Sequence, residues 1–224
     1  MVIKEIKCTG TLGDTYINLC KMYNLAQHES ILCKHYTKHN NWYQLIREIY
    51  GLCPNIMVKF LKKLPHRSIV SHFSEKDRMK LNIEYFPSFE QFQKLRKKFK
   101  LPLNYICMSI KSGRSDQKRL IDEEQIRKII KTNKNIVIVG VGVEMPKGYN
   151  YKYDLIGKTN LLEAMAIVAG SYKFYGFQGL FCYVALSQKI STTIYIKHPI
   201  SDLKAFWNRC PNQWQKYIVN IIKI

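Results

Sequence analysis

Along this chain of 224 residues, stretches of alternating apolar and polar positions give way repeatedly to stretches with apolar residues at helical spacing. Residues 2–8, with Val2, Ile3, Ile6 and Cys8 set among charged neighbours, predict a first strand. Gly10 and Gly13 mark a turn over 9–14, and Tyr16, Leu19, Cys20 and Tyr23 then recur at the spacing of a helix over 15–27. Residues 30–36 predict a second strand, and 42–51 an amphipathic helix stopped by Gly51 ahead of Pro54. Residues 55–80 are rich in Lys, His and Arg and offer only short possible strands. Ser88 is placed to cap a helix over 91–99. Strand, glycine turn, helix, strand is how a Rossmann-like half begins.

A second series follows the segment Lys100-Leu101-Pro102, where the domain boundary is expected. Residues 104–110 predict a strand, 111–118 a polar glycine-containing loop, and 122–133 a helix with acids at its start and Lys131 at its end, as the helix dipole favours. The β-branched run at 135–140 predicts a buried parallel strand. Residues 154–187 are the most organised stretch: a loop, a short apolar helix between Thr159-Asn160 and Gly170, a short strand, a glycine turn, and a second helix opening at Gln178-Gly179. Such a helix N-terminus presents free backbone N–H groups and suits a phosphate. One more strand is expected over 189–197. The segment 201–224 reads as helical, anchored by Trp207, Trp214 and Tyr217. The expected fold class is therefore α/β, with two Rossmann-like domains at 1–100 and 101–200 and a C-terminal helical tail at 201–224 packing back on the first domain.

Composition narrows the class. A chain with 46% hydrophobic and 12% aromatic residues folds rather than remaining disordered. No apolar run approaches a membrane span, and charge interrupts the first apolar stretch, which argues against a signal peptide. The seven cysteines are scattered, odd in number and free of any Cys-x-x-Cys pair, which points to buried thiols in a reducing, cytoplasmic setting. The net charge of +20 is uneven. Six basic residues face four acidic ones over 1–50, against twelve and four over 51–100, peaking at 94–100. This balance suggests a polyanionic partner, nucleic acid before an anionic membrane. An AT-rich coding sequence would also enrich Lys, Asn, Ile and Tyr, so both origins stay open.

Three motifs fail on inspection. Gly157-Lys158-Thr159 lacks the glycine a phosphate-binding P-loop needs at position 152, which is Lys. Gly140-x-Gly142 lacks the third glycine of a dinucleotide fingerprint, because position 145 is Met. Cys33, His35 and His39 have loose metal-ligand character but no second cysteine pair, so polar surface is the plainer reading. Asp14 carries more. As the residue starting the first helix it is a natural N-cap, and at the end of the first strand its carboxylate is also where a general base would sit.

Taken in order, these residues resemble a family. Gly10-Thr11-Leu12-Gly13-Asp14 is similar to the N-terminal signature of the lipopolysaccharide heptosyltransferases and related GT-B glycosyltransferases. Asp154-Leu155, Gly157, Thr159 and Leu161 resemble their Asp-Leu-x-Gly-x-Thr-x-Leu element. Phe174 to Gly179, leading into Ala185 and Leu186, lies where the family has a Gly-Asn-Asp-Ser-Gly-Pro-x-His run, and here Phe177-Gln178 replaces the Asn-Asp. The loop 112–118 stands where the family contacts phosphate.

The resemblance implies a GT-B enzyme: two Rossmann-like domains facing a cleft, performing inverting, metal-independent transfer from a nucleotide sugar such as a UDP- or ADP-sugar, with no further cofactor. It makes Asp14 the catalytic base. Lys111, Ser112 and Lys118 would contact phosphates, and Glu144 the ribose. Gly157, Lys158, Thr159 and Asn160 would line the base or ribose, and Gln178, Gly179 and Leu180 would offer N–H groups to the diphosphate. The trimmed, basic acceptor half suggests a long polyanion held by Thr11, Lys62, Lys63, Arg67, Lys94, Arg96, Lys97, Lys98 and Lys100. The favoured acceptor is a hydroxymethylated base of double-stranded DNA, as for phage DNA glycosyltransferases. A cell-envelope saccharide acceptor and a non-catalytic nucleotide- or DNA-binding module are the alternatives, and the oligomeric state is open, a monomer included.

Overall fold

The computed structural model describes residues 3–64, 88–110, 121, 123–140, 152–196 and 212–223. The chain forms two compact units, Met1–Glu84 and Tyr85–Ile224.

In the first unit, β1 (Ile3–Thr9), β2 (Ser30–Tyr36) and β3 (Ile56–Phe60) make a parallel sheet in the order β1-β2-β3. Helices α1 (Leu12–Ala26) and α2 (Tyr43–Tyr50) supply the connections. In-facing residues alternate, Ile6 and Cys8 on β1 and Ile31, Cys33 and His35 on β2, with Ile6 opposite Cys33 and Cys8 opposite His35. Tyr16, Leu19 and Cys20 of α1 and Ile46, Ile49 and Tyr50 of α2 bury their i, i+3, i+4 stripes. Burial of each large apolar side chain stabilises by about 1.5–3 kcal/mol. β3 lies within the basic stretch where only short possible strands are expected.

The second unit begins with α3 (Phe89–Phe99), so the boundary expected near residue 100 falls earlier. The reason is packing: the ring of Phe92 on α3 occupies the space a side chain at Gly170 would need, 2.0 Å from an added Cβ. Ser88 caps α3 as expected, accepting the Gln91 N–H at 3.3 Å while Gln91 Oε1 accepts the Ser88 N–H. The strands β4 (Ile106–Met108), β5 (Ile136–Ile138), β6 (Lys173–Phe177), β7 (Ser191–Ile196) and β8 (Ile218–Lys223) are all parallel, in the order β5-β4-β6-β7-β8. The helices are α4 (Glu123–Thr132), α5 (Leu161–Ala169), α6 (Leu180–Ser187) and α7 (Asn212–Gln215).

A helical tail over 201–224 does not describe its last part, since 218–223 pair in parallel with β7. The β-branched run Ile218, Val219, Ile221 and Ile222 suits that pleated edge better than a helix. β4 and β5 are buried throughout, as strands covered on both faces must be. α5 and α6 are apolar around most of their circumference and correspondingly buried. The six cysteines among the described residues are buried and unbridged.

One detail completes the topology. Asp154 forms an isolated parallel bridge with Ile138 on the outer side of β5, supported by Ile138 N–H to the Tyr153 carbonyl and Leu155 N–H to the Ile138 carbonyl. Counted as a one-residue strand, it turns the sheet order into 3-2-1-4-5-6, that of a doubly wound Rossmann sheet.

Candidate functional site

In open parallel sheets, ligands bind beyond the carboxyl ends of the strands, at the point where strand order reverses. In the second unit that point lies between β4 and β6, which are hydrogen-bonded neighbours although β5 separates them in sequence. β4 leads through buried Ser109, whose N–H is held by the Tyr175 carbonyl at 2.8 Å, to buried Ile110. β6 leads through Phe177 to Gln178 and Gly179, and α6 starts at Leu180. Among the described residues, no side chain caps α6. Its first-turn N–H groups therefore lack the side-chain acceptor that Ser88 gives α3 and Asn160 gives α5. A Cβ added at Gly179 would meet nothing within 4 Å among the described residues, so the space on that side of the residue is open. An uncapped helix N-terminus facing open space at a switch point has the electrostatics to hold an anionic group. The Gln178 side-chain amide donates to the hydroxyl of Tyr183 on α6 at 3.2 Å.

The loop 154–160 adjoins the same strand ends. The Gly157 N–H bonds the Gly140 carbonyl just past β5, and Gly157 adopts the left-handed conformation at φ +70°. Other expected contacts here are taken by the fold itself. The Lys158 ammonium donates to the Asp154 carbonyl at 2.7 Å. The Asn160 side chain accepts the Glu163 N–H at 2.8 Å, closing a capping box. Thr159 is buried, and its Oγ1 finds no hydrogen-bond partner among the described residues. Of the residues expected to bind donor, Gly157, Thr159, Gln178, Gly179 and Leu180 thus lie at strand ends of one sheet, while Lys158 and Asn160 serve their own loop. Lys111, Ser112, Lys118 and Glu144 lie outside the described residues.

In the first unit, the β1–α1 junction carries Asp14. The helix begins at Leu12 with Thr11 as N-cap, so Asp14 is its third residue rather than the cap. Its Oδ2 accepts the Thr11 N–H at 2.9 Å and the Thr11 hydroxyl at 3.0 Å. Gly10, at φ +129°, lies so tightly beneath Asp14 that an added Cβ would come within 2.4 Å of the Asp14 Cβ. Beside them stands His35, fully buried, which corrects the surface reading of this residue. It contacts the Tyr50 hydroxyl through Nδ1 at 3.0 Å and the Gly10 carbonyl through Nε2 at 3.4 Å. Burial pushes its imidazole below the ordinary histidine range, against the opposing pull of the Gly10 carbonyl and Asp14. The in-facing parity of Ile31, Cys33 and His35 was the sequence signal for this burial.

The basic residues divide. Lys62 and Lys63 follow β3 and are exposed, while Arg67 lies outside the described residues. Lys94, Arg96, Lys97, Lys98 and Lys100 sit on or just after α3 and so belong to the second unit. Two are paired, Lys94 with Glu90 at 2.7 Å and Lys98 with Glu163 at 2.5 Å. Arg96 is half-buried, its Nε without a partner among the described residues. Among the described residues, no cluster of three or more His, Cys, Asp or Glu could hold a metal ion, and no helix is long and apolar enough to cross a membrane.

This architecture has relatives of known structure. A glycosyl transferase family 9 protein from Veillonella parvula superposes with a TM-score of 0.55 at 12% identity, over 99% of this chain and 86% of that one. The chain has a glycosyltransferase fold. TibC, the iron-containing dodecameric glycosyltransferase of enterotoxigenic E. coli, matches with a TM-score of 0.47 at 11% identity over 87% of this chain. The chain spans 59% of the length of TibC. No family model and no curated protein sequence matches the chain.

Proposed function

We propose that this protein is a glycosyltransferase that moves a sugar from a nucleotide-sugar donor to an acceptor hydroxyl by direct, inverting displacement. The observation that carries this is the uncapped, open N-terminus of α6 at the switch point of a 3-2-1-4-5-6 sheet, within a fold shared with a family 9 glycosyl transferase. The two units act as the Rossmann-like halves of a GT-B enzyme, with the donor on the second.

The first-turn amides of α6 hold the diphosphate and stabilise the charge it gains as the glycosidic bond breaks. Lys111, Ser112, Lys118 and Glu144 keep the donor-binding roles their resemblance implies. Asp14 takes the proton from the acceptor hydroxyl as its oxygen bonds to the anomeric carbon and the nucleoside diphosphate departs.

On the acceptor side, the charge of +20 and the exposed Lys62, Lys63, Lys97 and Lys100 favour a hydroxymethylated base in duplex DNA. The pairing of Lys94 and Lys98 with carboxylates favours the second reading, an envelope saccharide, because it withdraws two cations from the basic helix. The test is incubation with a panel of nucleotide sugars and either hydroxymethylated duplex DNA or oligosaccharides, followed by mass analysis. A hexose or heptose increment on one acceptor is the expected result. Absence of transfer and of donor hydrolysis with every donor would sink the enzyme reading.

A further inference from the structure

The β1–α1 turn that carries Asp14 is tied to the end of β2 at both faces of one residue. The Gly10 N–H donates to the Tyr36 carbonyl at 3.1 Å, and the Gly10 carbonyl faces His35 Nε2 at 3.4 Å. A carbonyl oxygen only accepts, so Nε2 must carry the proton in this contact. Neutral imidazole then has a bare Nδ1, which must accept, and the group opposite it is the Tyr50 hydroxyl at 3.0 Å. The direction of the whole chain follows: Tyr50 O–H donates to His35 Nδ1, and His35 Nε2–H donates to the Gly10 carbonyl. Both rings are wholly buried, so water cannot replace either bond.

We propose that His35, held in its Nε2–H tautomer by Tyr50, is the positioning residue that fixes the Gly10 turn and through it the Asp14 carboxylate. Gly10 is the link because the Asp14 side chain lies directly over it, leaving no room even for a methyl group. A shift of Gly10 therefore moves the carboxylate that Thr11 holds from the other side. The buried environment favours this arrangement further. Burial holds the Tyr50 hydroxyl protonated and the His35 ring neutral, so donor and acceptor roles stay fixed across the physiological range. The groups facing His35 are Tyr50 from α2, the Gly10 carbonyl and Asp14 from the β1–α1 junction, and the Phe60 ring from β3, edge-on at 6.3 Å. The proposal deepens the glycosyltransferase reading and rests on Asp14 being its base.

The experiment joins a spectroscopic and a kinetic measurement. Long-range nitrogen–proton NMR of His35 at pH 7.5 is expected to show the neutral Nε2–H tautomer, and amide exchange at Thr11 to be slow. Tyr50→Phe is expected to mix the tautomers. His35→Leu is expected to speed Thr11 exchange and to lower kcat on the order of 100-fold, as a misplacement of about 1 Å does, with donor KM unchanged. His35→Gln, which keeps an N–H for the Gly10 carbonyl, is expected to recover much of both. An Nδ1–H tautomer, or a folded His35→Leu variant with unchanged Thr11 exchange, would overturn the proposal. Should the wild type transfer no sugar, the reading of function fails alone, and tautomer and exchange still decide the role of His35.

Discussion

Asp14 and Thr11 close a tight loop on themselves: one carboxylate oxygen of Asp14 takes both the backbone N–H and the hydroxyl of Thr11, at 2.9 and 3.0 Å. A cap contact and a catalytic base make different demands on that carboxylate, and substitutions separate them. Asp14→Asn keeps an acceptor for Thr11 but cannot take a proton, so transfer is expected to fall about 10²–10⁴-fold with stability nearly unchanged. Asp14→Ala is expected to lose activity to the same degree and also about 1 kcal/mol of stability, the usual worth of such a capping interaction. Steady-state kinetics with urea unfolding of both variants checks this. Full activity in Asp14→Asn would leave the carboxylate a capping-box acceptor for Thr11 and nothing more.

Two glycines with positive φ are expected to answer alanine differently. At Gly10 the added methyl collides with Asp14, and the backbone at φ +129° resists any L-residue. Gly10→Ala is expected to cost about 1–3 kcal/mol and to reduce kcat as severely as loss of the His35 contact. At Gly157 the space is empty and only the left-handed backbone, φ +70°, is at stake. Gly157→Ala is expected to cost about 1–2 kcal/mol, and Gly157→Asn less, since asparagine tolerates that region. Denaturant midpoints with kcat for the three variants suffice. Equal kinetic loss in Gly10→Ala and Gly157→Ala would contradict the assignment of Gly10 to the base.

The depressed pKa of His35 gives stability a pH dependence whose sign is determined. The folded chain binds the proton less readily than the unfolded chain, whose histidine titrates at about 6.5. Stability from the buried neutral ring is therefore complete above that value and is lost as the pH falls through the lower folded value. Urea midpoints at pH 8, 6.5 and 5.5 are expected to decline for the wild type. The decline should be shallower for His35→Gln, which has no imidazole to protonate. Parallel profiles for the two proteins would place the acid sensitivity elsewhere.

Where an element's local signals agreed, it was legible in the sequence. Ser88 with Gln91 and Asn160 with Glu163 are capping boxes readable from residue spacing, and both close as such. β3 was obscured because its outward residues Met57 and Lys59 are exposed and it lies inside the basic stretch 55–80. β8 was obscured because Trp214 and Tyr217 suggested helical anchors, whereas Trp214 belongs to the short α7 and the strand begins just after Tyr217. The membership of α3 in the second unit was not legible because it rests on Phe92 packing against Gly170, a contact between distant stretches of the chain. The Gly10–Asp14 turn and the Gln178–Gly179 helix start needed only local chemistry. The His35–Tyr50 pair needed the strand register and a helix face together, which no single stretch of sequence contains.

Salt dependence separates the two acceptors, because a paired lysine and an exposed one behave differently toward a phosphate backbone. Each lysine that neutralises a phosphate steepens the logarithmic fall of affinity with salt by about 0.9. Lys97 is exposed on α3, and Lys97→Ala is expected to flatten the slope by about 1 if duplex DNA is the acceptor. Lys98 is held by Glu163. Burial alone would raise that carboxyl's pKa, but Lys98 and the Asn160 N–H keep it below the usual glutamate range, so the pair persists at neutral pH. Lys98→Ala should accordingly change the slope little. Glu163→Gln retains the capping box and releases Lys98, so it should steepen the slope. Fluorescence anisotropy with hydroxymethylated duplex DNA between 50 and 300 mM salt, about the range over which such contacts are screened, makes the comparison. Weak binding insensitive to salt in all four proteins would leave the basic helix as a solvated face and move the acceptor to the saccharide class.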